Sequence, residues 1–198
     1  MESLSPGRFL HRNLPNILSL SRLPLGVLFY LCMISPSVVR AVLALLVITA
    51  GLCTDYLDGT LARRHNTVSM FGKWIDPLAD FVFFFFVYLS FYLLHIMPLF
   101  LFVLFLAREL TQHGVIRPVS LVRKLDLGAK TAGKLKTVLQ VIGSLVIVAL
   151  VLATQISLVS FQLASAISLG LLSLMVAVSL GSLYWYVRPL LSKRPAVR

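Results

Sequence analysis

The sequence predicts an all-α, polytopic integral membrane protein: six transmembrane helices after a short N-terminal interfacial helix, in a single membrane-embedded domain over 1–198. Three observations predict it. Of 198 residues, 59% are hydrophobic and only 13% charged. Soluble domains carry about a quarter charged residues, and the mean hydropathy of +0.94 is far from theirs. Apolar stretches recur along the whole chain, and at about 20 residues per span there is room for roughly six. The basic residues fall almost entirely on alternate connections. This composition excludes a soluble globular enzyme, a disordered tail and a disulfide-stapled secreted domain.

The elements follow in order. Residues 1–13 are polar and basic, and Phe9 and Leu10 give them an apolar side suited to a membrane surface. The first span runs from about Ile17 to Ile34, interrupted by Arg22 and Pro24, and Ser35-Pro36-Ser37 forms a turn. A second span from about Val38 to Leu52 continues as a polar helix through Asp55, Asp58 and Arg63. After a loop near Arg64 to Phe71, a third span covers about Gly72 to Ile96, including four consecutive Phe residues from Phe83, expected to face lipid or core. Met97-Pro98 opens a fourth, reaching about Val115, and residues 117–136 are read as a basic connection. The last two spans cover about Thr137 to Thr154 and Leu158 to Val187, the latter ending in the interface aromatics Tyr184-Trp185-Tyr186. No cleavage site follows the first apolar run, so that run reads as a span and not a signal peptide. Cys32 and Cys53 read as packing residues.

The net charge is +11. Nucleic acid is not an expected partner, because no folded polar domain exists to carry it. Counting residues at the membrane edge, 17 of the 18 Lys and Arg lie on one side, with Arg40 alone on the other. The positive-inside rule then places both termini in the cytoplasm.

The seven acids are concentrated. Asp55, Asp58, Asp76 and Asp80 fall within one 26-residue window. Asp55 and Asp58 are three apart and Asp76 and Asp80 four apart, so each pair shares a helix face. Two helix ends joined by a short loop can bring the four carboxylates together on the cytoplasmic side. Like charges beside lipid are costly, and a divalent cation relieves the cost. Oxygen-only donors suit Mg²⁺ or Mn²⁺, and such ions complete their shells with phosphate oxygens. Gly59 and Gly72 allow close approach, and the Arg63 fork suits a phosphate. The competing reading is structural salt bridges to Arg63, Arg64 and Lys73, which four regularly spaced acids exceed.

In order, the stretch reads Asp55-x-x-Asp58-Gly59-x-x-Ala62-Arg63, eight residues, then Gly72-x-x-x-Asp76-x-x-x-Asp80. This resembles the signature of the CDP-alcohol phosphotransferase family. Asn13-Leu14-Pro15-Asn16 with Ser19 and Arg22, Asp76 to Asp80, Arg108-Glu109, and Gly133 to Thr137 are similar to its bacterial phosphatidylglycerophosphate synthase branch. The resemblance implies a homodimer in the bacterial inner membrane with a cytoplasm-facing polar cavity. Asp55, Asp58, Asp76 and Asp80 would bind two divalent cations, Mg²⁺ or Mn²⁺. Asp80 would also be the general base. Asp55, Asp58, Gly59, Ala62, Arg63 and Gly72 would bind the CDP group. The donor would be CDP-diacylglycerol, itself a membrane lipid, and CMP the leaving group. The branch implies glycerol 3-phosphate as acceptor, met by Arg22, Arg108, Lys134 and Lys136. Phosphatidylglycerol, inositol phosphate and serine are other acceptors in the family.

Several residues carry two readings. Lys134 and Lys136 suit either an acceptor phosphate or anionic lipid heads. Glu109 is either the partner of Arg108 or an interface residue, and His65, His95 and His113 read as loop or interface residues. In the phosphatidylglycerophosphate synthase branch a Lys commonly follows the last Asp, and here Phe81 stands there. A divalent-cation transporter is a second class, but it needs acids near the bilayer midplane, and Arg63 would oppose a cation path. A catalytically dead membrane scaffold is a third, against which the complete motif speaks.

Overall fold

A computed structural model describes residues 6–64, 70–122 and 130–191. For 6–16, 55–64, 70–74, 121–122, 130–132, 134 and 189–191 only the backbone is described. The described residues are helical with short turns and contain no strand. The helices are α1 (Pro6–Met33), α2 (Val38–Arg64), α3 (Met70–Leu93), α4 (Leu99–Thr111), α5 (Arg117–Val122), α6 (Lys130–Gln155) and α7 (Phe161–Leu191). One π-helical turn, Gln112–Ile116, joins α4 to α5 without a break.

Among the described residues, four segments are long and apolar enough to cross a membrane: Ile75–Leu93, Leu99–Ser120, Leu135–Gln155 and Phe161–Arg188. Two shorter apolar segments, Ile17–Met33 and Val38–Thr54, stand where the first two spans are expected. Two expectations change. The polar N-terminal turns from Pro6 are continuous with the first apolar stretch, in one helix to Met33. The basic connection over 117–136 is helical at both ends, to Val122 and again from Lys130. Basic side chains have long stems and good helix propensity, so polarity there marks the end of an apolar span and not the end of a helix.

Two compact units divide the chain at Ser90 and Phe91. In the first, α1 and α2 form an antiparallel pair, and Ser37 begins α2, its Oγ accepting from the Arg40 amide at 3.4 Å. α3 runs parallel to α1. The ladder of partners shows this: Ser19 meets Asp76, Arg22 meets Asp80, Gly26 meets Phe83, and Tyr30 lies against Phe86 with ring centroids 5.9 Å apart. Each step is one helical turn on both helices.

Phe83, 1% exposed, is the hub of this unit. A Cβ at Gly26 would come within 3.1 Å of the Phe83 Cα, and a Cβ at Gly51 would press into its ring, at 2.7 Å from Cε2. Gly26 thus admits the α3 backbone against α1, and Gly51 admits the Phe83 ring against α2. The Phe run is thus split in function: Phe83 and Phe84 are buried, while Phe85 and Phe86 are half-exposed.

In the second unit, α3 ends in a turn with His95 at φ 57, where the Ile96 and Met97 amides return to the Phe91 carbonyl at 3.0 Å. α6 and α7 are antiparallel. Gly143 accommodates the Met175 side chain, and Gly133 the Tyr186 hydroxyl. Ser160 begins α7, accepting from the Leu163 amide at 3.3 Å.

The two kinds of glycine should separate on substitution. Gly51→Ala forces overpacking against a ring that is already enclosed, expected to cost about 1–3 kcal/mol. Gly170→Ala meets nothing within 4 Å and should gain up to about 1 kcal/mol of helix propensity. Thermal denaturation in detergent micelles should lower the transition for the first and hold or raise it for the second.

Candidate functional site

In the first unit the chemistry gathers on one face of α3. Asp76 and Asp80 are four residues apart and both turn toward α1. The Ser19 hydroxyl donates to Asp76 Oδ1 at 2.5 Å. The Arg22 guanidinium is ion-paired with Asp80 Oδ1. Ser19 and Arg22 are buried, at 0% and 1% exposure, whereas the Asp80 side chain is 42% exposed. A cation and a hydroxyl on α1 therefore hold two carboxylates whose outer side reaches the surface. Arg22 was expected among the acceptor-phosphate residues; the structure sets it on Asp80. Phe81, next to Asp80, is half-exposed and lies against Phe85 at 6.4 Å between centroids.

Pro77 sits inside α3 between the two acids. It cannot donate the helical hydrogen bond of its position, so α3 runs on through the acids with one backbone bond fewer. The donor set suits a hard divalent cation, since both groups are carboxylates. Among the described residues, no group of three or more His, Cys, Asp or Glu stands together. Asp55, Asp58, Gly59, Ala62 and Arg63 belong to α2, Gly72 to α3 and Lys134 to α6, and all seven side chains lie outside those described. His65 falls outside the described residues altogether.

In the second unit a charged cluster is built on α4. Arg108, 4% exposed, spends its guanidinium on three atoms of its own unit. Nε donates to the Ser179 carbonyl at 3.2 Å, Nη2 to Ser182 Oγ at 3.0 Å and Nη1 to Glu109 Oε1 at 2.7 Å. Glu109, 3% exposed, also receives Lys136 Nζ on Oε1 at 2.7 Å and faces His113 Nε2 across 3.3 Å on Oε2. The cluster thus ties α4 to α6 and α7. One turn further on, the π-helical turn carries His113 and the buried Gln112, whose amide shares the Arg108 and Glu109 carbonyls. Such turns are frequent at functional sites.

The sequence names Arg108 and Lys136, leaves Glu109 as either the partner of Arg108 or an interface residue, and reads His113 as a loop or interface residue; the structure makes Glu109 the partner of Arg108. The meeting of Glu109 with Lys136 joins two different helices, so no local spacing shows it. The signal that existed was an acid inside an apolar span, which needs a partner.

The comparisons with known proteins agree with the motif. Residues 12–181 match the family model described as CDP-alcohol phosphatidyltransferase. A CDP-diacylglycerol–glycerol-3-phosphate 3-phosphatidyltransferase of Rickettsia typhi is 43% identical over 70 residues, covering 35% of this chain and 39% of that protein. A probable phosphatidylglycerophosphate synthase of Mycobacterium tuberculosis is 34% identical over 141 residues, 69% of this chain and 66% of that one. A cardiolipin synthase (CMP-forming) of Streptomyces coelicolor is 37% identical over 110 residues, 52% and 51% of the two chains. The matches thus span less than two thirds of these relatives' length. No solved structure matches the chain.

Arg108 should behave as a clamp. Arg108→Ala removes the bonds to Ser179 and Ser182 and one partner of the buried Glu109, which keeps Lys136 and His113, so the cost should stay below the roughly 3–5 kcal/mol of a carboxylate left with no partner. Arg108→Lys should recover little, because a single ammonium cannot replace a fork shared between α4 and α7. Thermal denaturation in micelles measures both.

Proposed function

The chain belongs to the CDP-alcohol phosphatidyltransferase family, and on that premise we propose that it moves the phosphatidyl group of CDP-diacylglycerol to glycerol 3-phosphate, releasing CMP, as a step of membrane phospholipid synthesis. The observation that carries this reading is the paired acids of α3 within an unbroken Asp55–Asp80 motif. The names of the Rickettsia typhi and Mycobacterium tuberculosis relatives support the acceptor. The Streptomyces coelicolor relative favours phosphatidylglycerol as the second acceptor to test.

The register of the first unit supports convergence of all four acids. Gly26 of α1 and Gly51 of α2 both meet Phe83. α1 and α2 are antiparallel, so about 6 Å further along α2, one turn at 1.5 Å per residue, Asp55 comes level with Arg22 and Asp80. Asp58 follows at the level of Ser19 and Asp76. Two divalent cations, Mg²⁺ or Mn²⁺, held by Asp55, Asp58, Asp76 and Asp80 would neutralise charge on the transferred phosphoryl and the leaving phosphate.

The chain's own residues do the rest. Gly59, Ala62 and Gly72 leave room for the CDP group, and Arg63 offers its fork to the diphosphate. Asp80, aimed by Arg22, takes the proton of the acceptor hydroxyl. The hydroxyl oxygen bonds to the phosphatidyl phosphorus as the bond to the CMP phosphate breaks. Lys134 and Lys136 meet the acceptor phosphate. We place six spans in the bacterial inner membrane, with the basic N-terminal turns of α1 at its surface. Both termini and the site lie on the cytoplasmic side. The 198 residues act as one domain in a homodimer.

Purified protein with CDP-diacylglycerol, Mn²⁺ and radiolabelled glycerol 3-phosphate should yield CMP and labelled lipid; CMP release with another alcohol alone would refute the acceptor. Asp80→Asn should abolish turnover and leave CDP-lipid binding measurable, and Arg63→Ala should weaken that binding. Chelation should stop the reaction, and added Mg²⁺ or Mn²⁺ should restore it.

A further inference from the structure

Glu109 has no assigned part in the reaction, yet it is the most engaged carboxylate among the described residues of the second unit. It lies in the apolar segment Leu99–Ser120, where an ionised group is expensive unless paired and marks a function. Its oxygens meet Arg108, Lys136 and His113. The two cations differ. Arg108 is 3% exposed along its side chain and is spread over Glu109, Ser179 and Ser182. Lys136 is 16% exposed and stands near the start of the segment Leu135–Gln155. Of the two, Lys136 has the reach to meet something beyond the protein.

A lysine is a point charge on a flexible stem, with about 2 kcal/mol of rotamer entropy to lose on being held. Glu109 Oε1, shared at 2.7 Å with Arg108 and Lys136, removes that freedom in advance. Arg108 in turn fixes Glu109, since its other nitrogens are anchored to α7. Counting Arg108, Glu109 and Lys136, positive charge exceeds negative by one, so a buried arrangement that holds the carboxylate still favours an incoming anion.

We propose that Glu109 is a positioning residue for the acceptor step: it holds the Lys136 ammonium ready for a phosphate on the incoming alcohol. This rests on the proposed acceptor reading. Glu109 touches no substrate and acts through Lys136, with Arg108 as its brace.

The test is steady-state kinetics of wild type, Glu109→Gln, Glu109→Asp, Lys136→Gln and the double variant, in micelles, with both substrates varied. Glu109→Gln keeps the side chain's shape but not its charge. It should raise KM for glycerol 3-phosphate on the order of tenfold, the loss typical when the outer partner of a ligand-holding side chain is removed. The KM for CDP-diacylglycerol should stay unchanged. Glu109→Asp should recover part of the loss. In the Lys136→Gln background Glu109→Gln should add nothing further, because the two act as one unit. Gly143→Ala, which crowds Met175, is the structural control: it should lower the melting temperature without moving the acceptor KM. If Glu109→Gln moves both KM values together, or adds fully to Lys136→Gln, the positioning role is overturned. Should wild type release CMP only with a different alcohol, the acceptor reading fails separately, and the same variants are read on that alcohol. A selective KM rise for a phosphorylated alcohol then sustains the role, and a rise for none overturns it.

Discussion

A charged side chain on an apolar helix has to find its partner on a neighbouring helix, because neither lipid nor an apolar core will solvate it. This requirement organises both compact units. In the first, Arg22 of α1 reaches Asp80 of α3, with Ser19 and Asp76 one turn away. In the second, Arg108 and Glu109 of α4 reach Ser179 and Ser182 of α7 and Lys136 of α6. Each link selects one register between helices whose apolar faces would tolerate several. Replacing such links by apolar contacts is often neutral or better for stability. Their value here is the placing of particular oxygen and nitrogen atoms.

Packing serves the same end by removing side chains. Gly26 lets the α3 backbone at Phe83 approach α1, Gly51 leaves room for the Phe83 ring against α2, and Gly133 and Gly143 do the same for Tyr186 and Met175 between α6 and α7. Helices inside a membrane gain little from hydrophobic burial against one another, so close approach at small residues carries much of their association. In the first unit the close approach lies one turn from the Arg22–Asp80 pair. The aromatic hub thus fixes the level at which α3 presents its acids, with Pro77 between them.

The basic excess divides into parts with different physics. Most of the Lys and Arg mark the ends of apolar spans and bias orientation. Arg22 and Arg108 are buried and act inside the fold. Lys136 stands between these classes, held by a buried carboxylate yet partly open. The acid motif lies within the residues that match the CDP-alcohol phosphatidyltransferase family model.

Much of this was legible in the sequence. Apolar runs bounded by Pro36, Pro98 and the polar turn before Phe161 located the helices, because helix formation in an apolar medium is dictated by local backbone satisfaction. The acids were legible for the same kind of reason: spacings of three and four put side chains on one helix face regardless of what lies opposite. The persistence of helix through 117–122 and from Lys130 was not legible, since polarity reports solvent and not backbone conformation. Nor were the partners. Arg22 and Asp80 are 58 residues apart, Arg108 and Ser182 74 apart, and no local period encodes which long side chain meets which. The sequence by itself determined an all-helical membrane protein carrying a four-acid motif of one enzyme family. Only the tertiary structure decided that Arg22 serves Asp80, that Arg108 is spent on α7, and that Glu109 joins two cations, because those pairings depend on interhelical register, which is set by packing over the whole unit.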